Sequence, residues 1–111
     1  MDLTAMLKAL SEPTRYKIFL TLLERRCCVR SLSRKLGITE AAVSQHLKKL
    51  KEAKLVYGER FGYHMHFYLR QEALDFLAEY FARLALESRE QERDAALCCC
   101  AYRRDENEPA S

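Results

Sequence analysis

The sequence has no apolar run long enough to cross a bilayer, and its first residues do not resemble a secretory signal. The longest apolar run, residues 95–102, has eight residues, whereas a spanning helix needs about 20. Residues 1–5 contain no basic stretch followed by an apolar one. The sequence therefore predicts a cytoplasmic protein with no membrane partner.

The cysteines do not form the even, spread-out pattern of a secreted disulfide framework. There are five, and they are bunched as Cys27, Cys28 and Cys98, Cys99, Cys100. All three histidines lie between residues 46 and 66, so no general base is expected beside these thiols, and the sequence does not predict an enzyme. Reduced thiols with a chemical role are the better interpretation.

The charge is divided unevenly along the 111 residues, although the net charge is only +3. Residues 1–70 contain 14 Lys and Arg against 6 Asp and Glu, a net charge of +8, whereas residues 71–111 contain 5 against 10. A chain of this length forms one small domain. Its basic part is suited to nucleic acid.

Two short helical patterns meet at Gly37, within residues 31–53. Leu32 and Leu36 give the first an apolar edge, and the second repeats apolar residues at helical spacing at Val43, Leu47 and Leu50. A glycine ends a helix readily in the left-handed conformation, and Thr39 can cap the second helix through its hydroxyl, with Glu40 at the positive end of the dipole. The spacing predicts a helix-turn-helix.

The second helix carries the residues that suggest DNA binding. Small residues allow close approach in the major groove, Ser and Gln bond base edges, and lysines contact phosphate. The alternative is an ordinary solvated face. Including the residues that begin the helix, the candidate contacts are Thr39, Glu40, Ala41, Ser44, Gln45, Lys48 and Lys49.

A β-hairpin is predicted directly after this helix. Strand-like residues begin at residues 55–57, residues 60–63 resemble a turn, and Tyr63, Met65, Phe67 and Leu69 alternate with polar residues as the apolar side. A hairpin in this position is a wing, and its tip residues Arg60, Tyr63 and His64 can reach phosphate or the minor groove. For the two wing histidines, a polar strand face is preferred to metal binding, because no nearby ligand completes a site.

Helices are predicted on both sides of this unit. Residues 3–10 form an amphipathic first helix, and Pro13 opens a second. Residues 71–97 lack Gly and Pro and carry an apolar stripe that includes Leu74, Phe81 and Leu84. So much apolar surface on a terminal helix favours pairing with a second copy. The predicted fold is therefore mainly α with a small β-hairpin.

Three stretches resemble the ArsR/SmtB winged-helix repressors of bacteria: Leu-Ser-Glu-Pro-Thr-Arg-Tyr-Lys-Ile at residues 10–18, the helix-turn-helix at 36–50, and Leu-Val-Tyr-Gly-Glu-Arg-Phe-Gly-Tyr at 55–63. The resemblance implies a winged helix-turn-helix that dimerises through its first and last helices. It also implies binding to a double-stranded DNA operator and release by an inducer, often a metal or metalloid. On this interpretation residues 1–97 form the DNA-binding and dimerisation domain, and residues 98–111 hold the cysteine cluster and a disordered tail.

The inducer site departs from the family pattern. Well-known arsenic sensors carry Glu-Leu-Cys-Val-Cys-Asp-Leu before the helix-turn-helix, and here residues 26–32 are Arg-Cys-Cys-Val-Arg-Ser-Leu. Cys28 falls on the first thiol position, but Arg30 replaces the second. The family's zinc site on the last helix uses Asp and His, and that helix has no His here. Neither site is therefore complete.

The thiols remain the candidate inducer ligands. Cys27 and Cys28 lie near a helix start among Arg25, Arg26 and Arg30, where both are expected to favour thiolate, unless they are buried structural cysteines. Soft ions such as arsenite prefer three thiolates, and neighbouring helical residues point about 100° apart. Cys98, Cys99 and Cys100 therefore cannot all converge on a regular helix. Two of them can bind if the helix frays, and the third ligand is then expected from Cys100, from Cys27 or Cys28, or from a second subunit. No constitutive cofactor is predicted. A redox or persulfide switch of the same thiols is the main alternative, and an idle cluster is a further one.

Overall fold

The computed structural model describes residues 1–93, which form five helices and one two-stranded sheet. The predicted ligands Cys98, Cys99 and Cys100, and the predicted disordered tail, lie outside the described residues. The elements in chain order are α1 (Leu3–Leu10), α2 (Pro13–Glu24), α3 (Val29–Leu36), α4 (Glu40–Glu52), β1 (Val56–Phe61), β2 (His64–Leu69) and α5 (Gln71–Glu92).

A carboxylate caps the start of each of the first two helices. The Asp2 carboxylate accepts a hydrogen bond from Ala5 N at 3.1 Å, and the Glu12 carboxylate accepts one from Arg15 N at 2.7 Å. Such caps satisfy backbone donors that have no partner within the helix. Arg15 Nε also donates to the Ala9 carbonyl at 2.6 Å. This bond fixes the corner between α1 and α2.

One apolar core lies beneath the helix-turn-helix. The fully buried side chains of α3 and α4 meet residues from α1, α2 and the start of β1. The predicted apolar faces of both helices are confirmed, since Leu32, Val43, Leu47 and Leu50 are all buried. Burying one side of α4 in this way leaves its opposite side to solvent. The larger buried residues of this core are Met6, Ile18, Leu32, Val43, Leu47, Leu50, Leu55 and Val56.

The predicted hairpin forms, but its turn is shorter than the sequence suggested. Strands β1 and β2 pair antiparallel from Val56 opposite Leu69 to Phe61 opposite His64, so Arg60 and Phe61 belong to β1. Only residues 62–63 form the turn. Gly62 has a φ of 62°, a conformation that two-residue hairpin loops require and that glycine adopts without steric cost.

The last helix extends from the core-packed unit into a second unit. Residues 1–77 form the first unit, and the second begins at Ala78, inside α5. Ala73 is buried in the first unit, whereas the second unit exposes large apolar side chains of the predicted stripe, including Phe81, Leu84 and Leu86. Within residues 1–93, no helix combines the length and apolar character needed to cross a membrane.

Candidate nucleic-acid interface

The turn between α3 and α4 is built by local hydrogen bonds. Gly37 ends α3 with a φ of 69°, and its N–H donates to the Ser33 carbonyl. Thr39 then accepts a hydrogen bond from Ala42 N at 3.0 Å, which caps α4 as its sequence predicted. Glu40 lies in the first turn, where a carboxylate is favoured by the helix dipole. These contacts fix the angle at which α4 leaves the turn.

The outer face of α4 is available to a ligand along its length. Val43, Leu47 and Leu50 point into the core, so the residues between them point to solvent. We define the reading face as the exposed residues Ala41, Ser44, Gln45, Lys48 and Lys49. This face combines small, hydrogen-bonding and cationic side chains, which is the combination that a major groove accepts.

Every residue that the sequence proposed as a DNA contact is exposed. Thr39 and Glu40 lie at the start of α4, and the wing tip contributes three more, of which Tyr63 is 100% exposed. Exposure keeps them accessible, and their roles in DNA contact stay predictions. The full exposed set is Thr39, Glu40, Ala41, Ser44, Gln45, Lys48, Lys49, Arg60, Tyr63 and His64.

Two charged residues near the reading face were not expected from the sequence. Arg30 Nε lies 3.9 Å from Glu40 Oε2, so an arginine balances the one carboxylate at the start of α4. Lys51 lines a groove of about 340 Å³ together with Ser44 and Lys48, and the other lining residues are Val29, Leu47, Glu52 and Phe67. The three-residue spacing of Lys48 and Lys51 was the available signal for the second lysine.

The other flank of α4 carries a contact that links it to α2. His46 Nδ1 lies 3.9 Å from Glu12 Oε1, the oxygen that also caps α2. His46 is half-buried and points away from the reading face. His46 therefore connects α4 to α2 and is poorly placed to contact DNA.

The apolar side predicted for the wing is only partly buried. Phe67 reaches the core and Leu69 is half-buried, but Met65 and Tyr63 are exposed because the hairpin projects beyond the core toward its tip. On the other side the rings pair with one another: Tyr57 and Tyr68 stack at 5.2 Å, and Phe61 and His66 lie 5.1 Å apart. The half-buried His66 therefore belongs to an aromatic face, and a metal role for it gains no support.

The adjacent thiols Cys27 and Cys28 have opposite environments. Cys27 is 7% exposed, and burial raises the pKa of its thiol despite the nearby cations. The expectation that both thiols favour thiolate is therefore wrong for Cys27, because loss of hydration outweighs Lys35 and Arg25. Cys28 is partly exposed at the start of α3. Cys28 Sγ donates a hydrogen bond to Ser31 Oγ at 3.5 Å, and hydrogen bonding with Ser31 lowers the pKa of Cys28.

No metal-binding cluster is formed by the residues that the structure describes. Within residues 1–93, no three His, Cys, Asp or Glu side chains are grouped as a metal ion would require. Cys27 and Cys28 are both free thiols. A three-thiolate site that uses them therefore needs ligands from elsewhere, and the other candidates, Cys98, Cys99 and Cys100, lie beyond the described residues.

Comparison with known proteins identifies relatives of this helix-turn-helix. The sequence model of the family described as "Bacterial regulatory protein, arsR family" matches residues 12–57. The chain is 47% identical over 57 residues to the HTH-type transcriptional repressor SmtB of two Mycobacterium tuberculosis strains. That match covers 51% of this chain and 42% of the relative. The chain thus spans less than half the length of these curated relatives.

Solved structures share the fold over most of the chain. The ArsR-like transcriptional regulator from Rhodococcus sp. RHA1 superimposes with a TM-score of 0.77 at 23% identity, covering 85% of this chain and 89% of that one. A protein described as "Possible transcriptional regulator for arsenical resistance" gives a TM-score of 0.64 at 29% identity, covering 71% and 82%. The winged helix-turn-helix predicted from the sequence is therefore confirmed.

Proposed function

Because this chain belongs to the ArsR/SmtB family of winged helix-turn-helix regulators, we propose that it is a DNA-binding transcriptional repressor. It acts as a homodimer on a double-stranded operator. It leaves that operator when cysteine thiolates bind arsenite or a related soft metal or metalloid.

One observation carries the DNA-binding part of the proposal: α4 buries its apolar residues and exposes its reading face, with the wing tip exposed as well. The net charge of +8 over residues 1–70 supports the same conclusion, since cationic surfaces gain affinity by releasing counterions from DNA. Base contacts are assigned to Ser44 and Gln45. Phosphate contacts are assigned to Lys48, Lys49 and Arg60.

The DNA-binding proposal is tested by letting the protein select duplexes from a randomised library and then measuring affinity against salt concentration. Lys48→Ala is expected to weaken binding to all sequences. It should also reduce the salt slope by about 0.9 for each phosphate that the lysine no longer neutralises, hence by about two in a dimer. Lys17→Ala removes the same charge from the exposed side of α2 and is expected to change neither quantity. No duplex binding even at low salt would contradict the proposal.

Dimerisation is supported by apolar side chains on the first and last helices. Leu7 of α1 is exposed, and so are Phe81, Leu84 and Leu86 of α5. Exposed apolar residues in this number mark association surfaces. Sedimentation of wild type and of Leu84→Glu at equal concentration tests the assignment: the variant is expected to sediment as a monomer, and an unchanged dimer would contradict it.

The inducer proposal is supported by the Cys28 thiol. It is partly exposed, and its pKa is lowered by hydrogen bonding with Ser31, so it supplies thiolate more readily than an ordinary cysteine. We assign the further ligands to the cluster of Cys98, Cys99 and Cys100, with Cys27 as the alternative thiol. A solved structure described as "Possible transcriptional regulator for arsenical resistance" supports the choice of arsenite. Arsenite under reducing conditions is expected to release the selected duplex. The double change Cys98→Ser with Cys99→Ser should abolish that release and leave DNA affinity intact.

A redox or persulfide switch is the second candidate, and the same lowered pKa of Cys28 favours it, because thiolates are the species that oxidise. Release by peroxide or polysulfide, with no response to arsenite in the presence of reductant, would select this candidate. Release by arsenite alone would exclude it.

A further inference from the structure

The link between α2 and α3 pairs with the wing at one residue. Cys27 forms an antiparallel bridge with Phe67 of β2, outside the two named strands. Phe67 N donates to the Cys27 carbonyl at 2.9 Å. Strand β2 is therefore hydrogen-bonded to β1 on one edge and to the link on the other, which anchors the base of the wing to the helical core.

The residue before Cys27 reaches the far end of the same wing. The Arg26 guanidinium lies over the Phe61 ring, 5.5 Å from its centroid, which is within the range of a cation–π contact. Phe61 is the last residue of β1 and directly follows Arg60. Its ring is 45% exposed, so the core does not hold it, and its described ring contacts are with Arg26 and His66.

We propose that residues 26–27 are the positioning element of the wing, and that Arg26 acts through Phe61 to set where the tip residues Arg60, Tyr63 and His64 meet DNA. This inference rests on the proposed DNA binding. In this account Arg26 is a positioning residue and makes no DNA contact of its own. Cys27 fixes the base of the hairpin through its backbone, and Arg26 fixes the tip through its side chain.

Direct phosphate contact by Arg26 is the competing explanation, because its side chain is exposed. The two explanations differ in a measurable way. A positioning residue loses its effect once Phe61 is gone, whereas a phosphate contact persists whatever replaces the ring. A phosphate contact also contributes to the salt dependence of binding, whereas a contact with Phe61 does not.

The test is a double-mutant cycle on affinity for the selected duplex, using Arg26→Gln, Phe61→Leu and the double variant. Each single variant is expected to weaken binding by about threefold to fivefold. The double variant is expected to be no weaker than either single one, with the salt slope unchanged. Arg25→Gln is the matched control: it removes the same charge one residue earlier and is expected to weaken binding less than Arg26→Gln.

Two results of the cycle would overturn the proposal. One is an Arg26→Gln effect that persists in full in the Phe61→Leu background, with a salt slope reduced by about two per dimer. The other is an Arg26→Gln variant that binds as tightly as wild type. Arg26 and Phe61 are both exposed, so these variants are expected to fold.

A measurement without DNA separates failure of this inference from failure of the proposed function. In NMR relaxation of the free protein, the amides of residues 60–64 are expected to be ordered in wild type. In Arg26→Gln their order parameters should fall from about 0.85 toward 0.6, while those of α4 stay unchanged. If wild type binds no duplex, the proposed function fails, yet this experiment still decides whether Arg26 holds the tip. Unchanged order parameters at the tip would contradict the inference.

Discussion

The start of helix α4 is set by residues of its own segment, whereas the wing that follows the helix is held by residues far away in the chain. Thr39 caps α4 and Gly37 sets its turn. The wing instead depends on Arg26 and Cys27, whose partners Phe61 and Phe67 lie 35 and 40 residues later in the chain. The helix is therefore a rigid part of the core. A change in the α2–α3 link, by contrast, can alter the position of the wing.

The adjacent thiols Cys27 and Cys28 lie where the helical part and the wing meet. Cys28 belongs to the helical side, as the N-cap residue of α3, and Cys27 belongs to the wing side through its bridge to Phe67. Cys28 adjoins Arg26 and Cys27, the residues that we propose hold the wing. If an inducer binds Cys28 as proposed, we expect it to change DNA binding through the position of the wing.

Leu47→Ala is expected to have the largest effect and tests whether α4 is part of the core. Leu47 is 2% exposed, so the variant leaves a cavity and should lower the free energy of unfolding by about 2–5 kcal/mol. Lys48→Ala, on the neighbouring exposed position, should change it by no more than about 0.5 kcal/mol. Urea denaturation of both variants makes the measurement. Equal stabilities would contradict the burial of this face.

Thr39→Ala should have an intermediate effect, because it removes the hydroxyl that accepts from Ala42 N. Loss of such a cap costs about 1 kcal/mol. Thr39→Ser keeps the hydroxyl and is expected to retain most of the stability. Thermal unfolding of the three proteins gives the comparison. If Thr39→Ser is destabilised as much as Thr39→Ala, the cap does not position α4.

The smallest effect is a difference in reactivity between the adjacent thiols. The pKa of Cys28 is lowered by Ser31 and the pKa of Cys27 is raised by burial. As pH rises, thiolate therefore forms at Cys28 first and at Cys27 later, and thiolate is the form that alkylates. We expect iodoacetamide to modify Cys28 at a lower pH than Cys27, measured in single-cysteine variants. The reverse order would contradict the burial of Cys27 in the core, and with it the bridge between Cys27 and Phe67.

The sequence was sufficient for the parts of the site that depend on neighbouring residues. The cap at Thr39, the left-handed Gly37 and the buried face of α4 all follow from spacing within one segment. The Arg26–Phe61 contact and the burial of Cys27 do not, because each depends on residues that only the folded chain brings together. Arginines next to Cys27 suggested a low pKa, but the sequence could not show that this residue would pair with Phe67 and be buried. The shortened turn at residues 62–63 likewise depends on the pairing of Phe61 with His64.

In the proposed function the outer face of α4 reads base pairs, and repeating the duplex selection with Gln45→Ala tests this role. We expect relaxed preference at one base pair in each half-site, with a loss of discrimination of about 1–3 kcal/mol there and the other positions unchanged. An identical selected sequence for wild type and Gln45→Ala would contradict it.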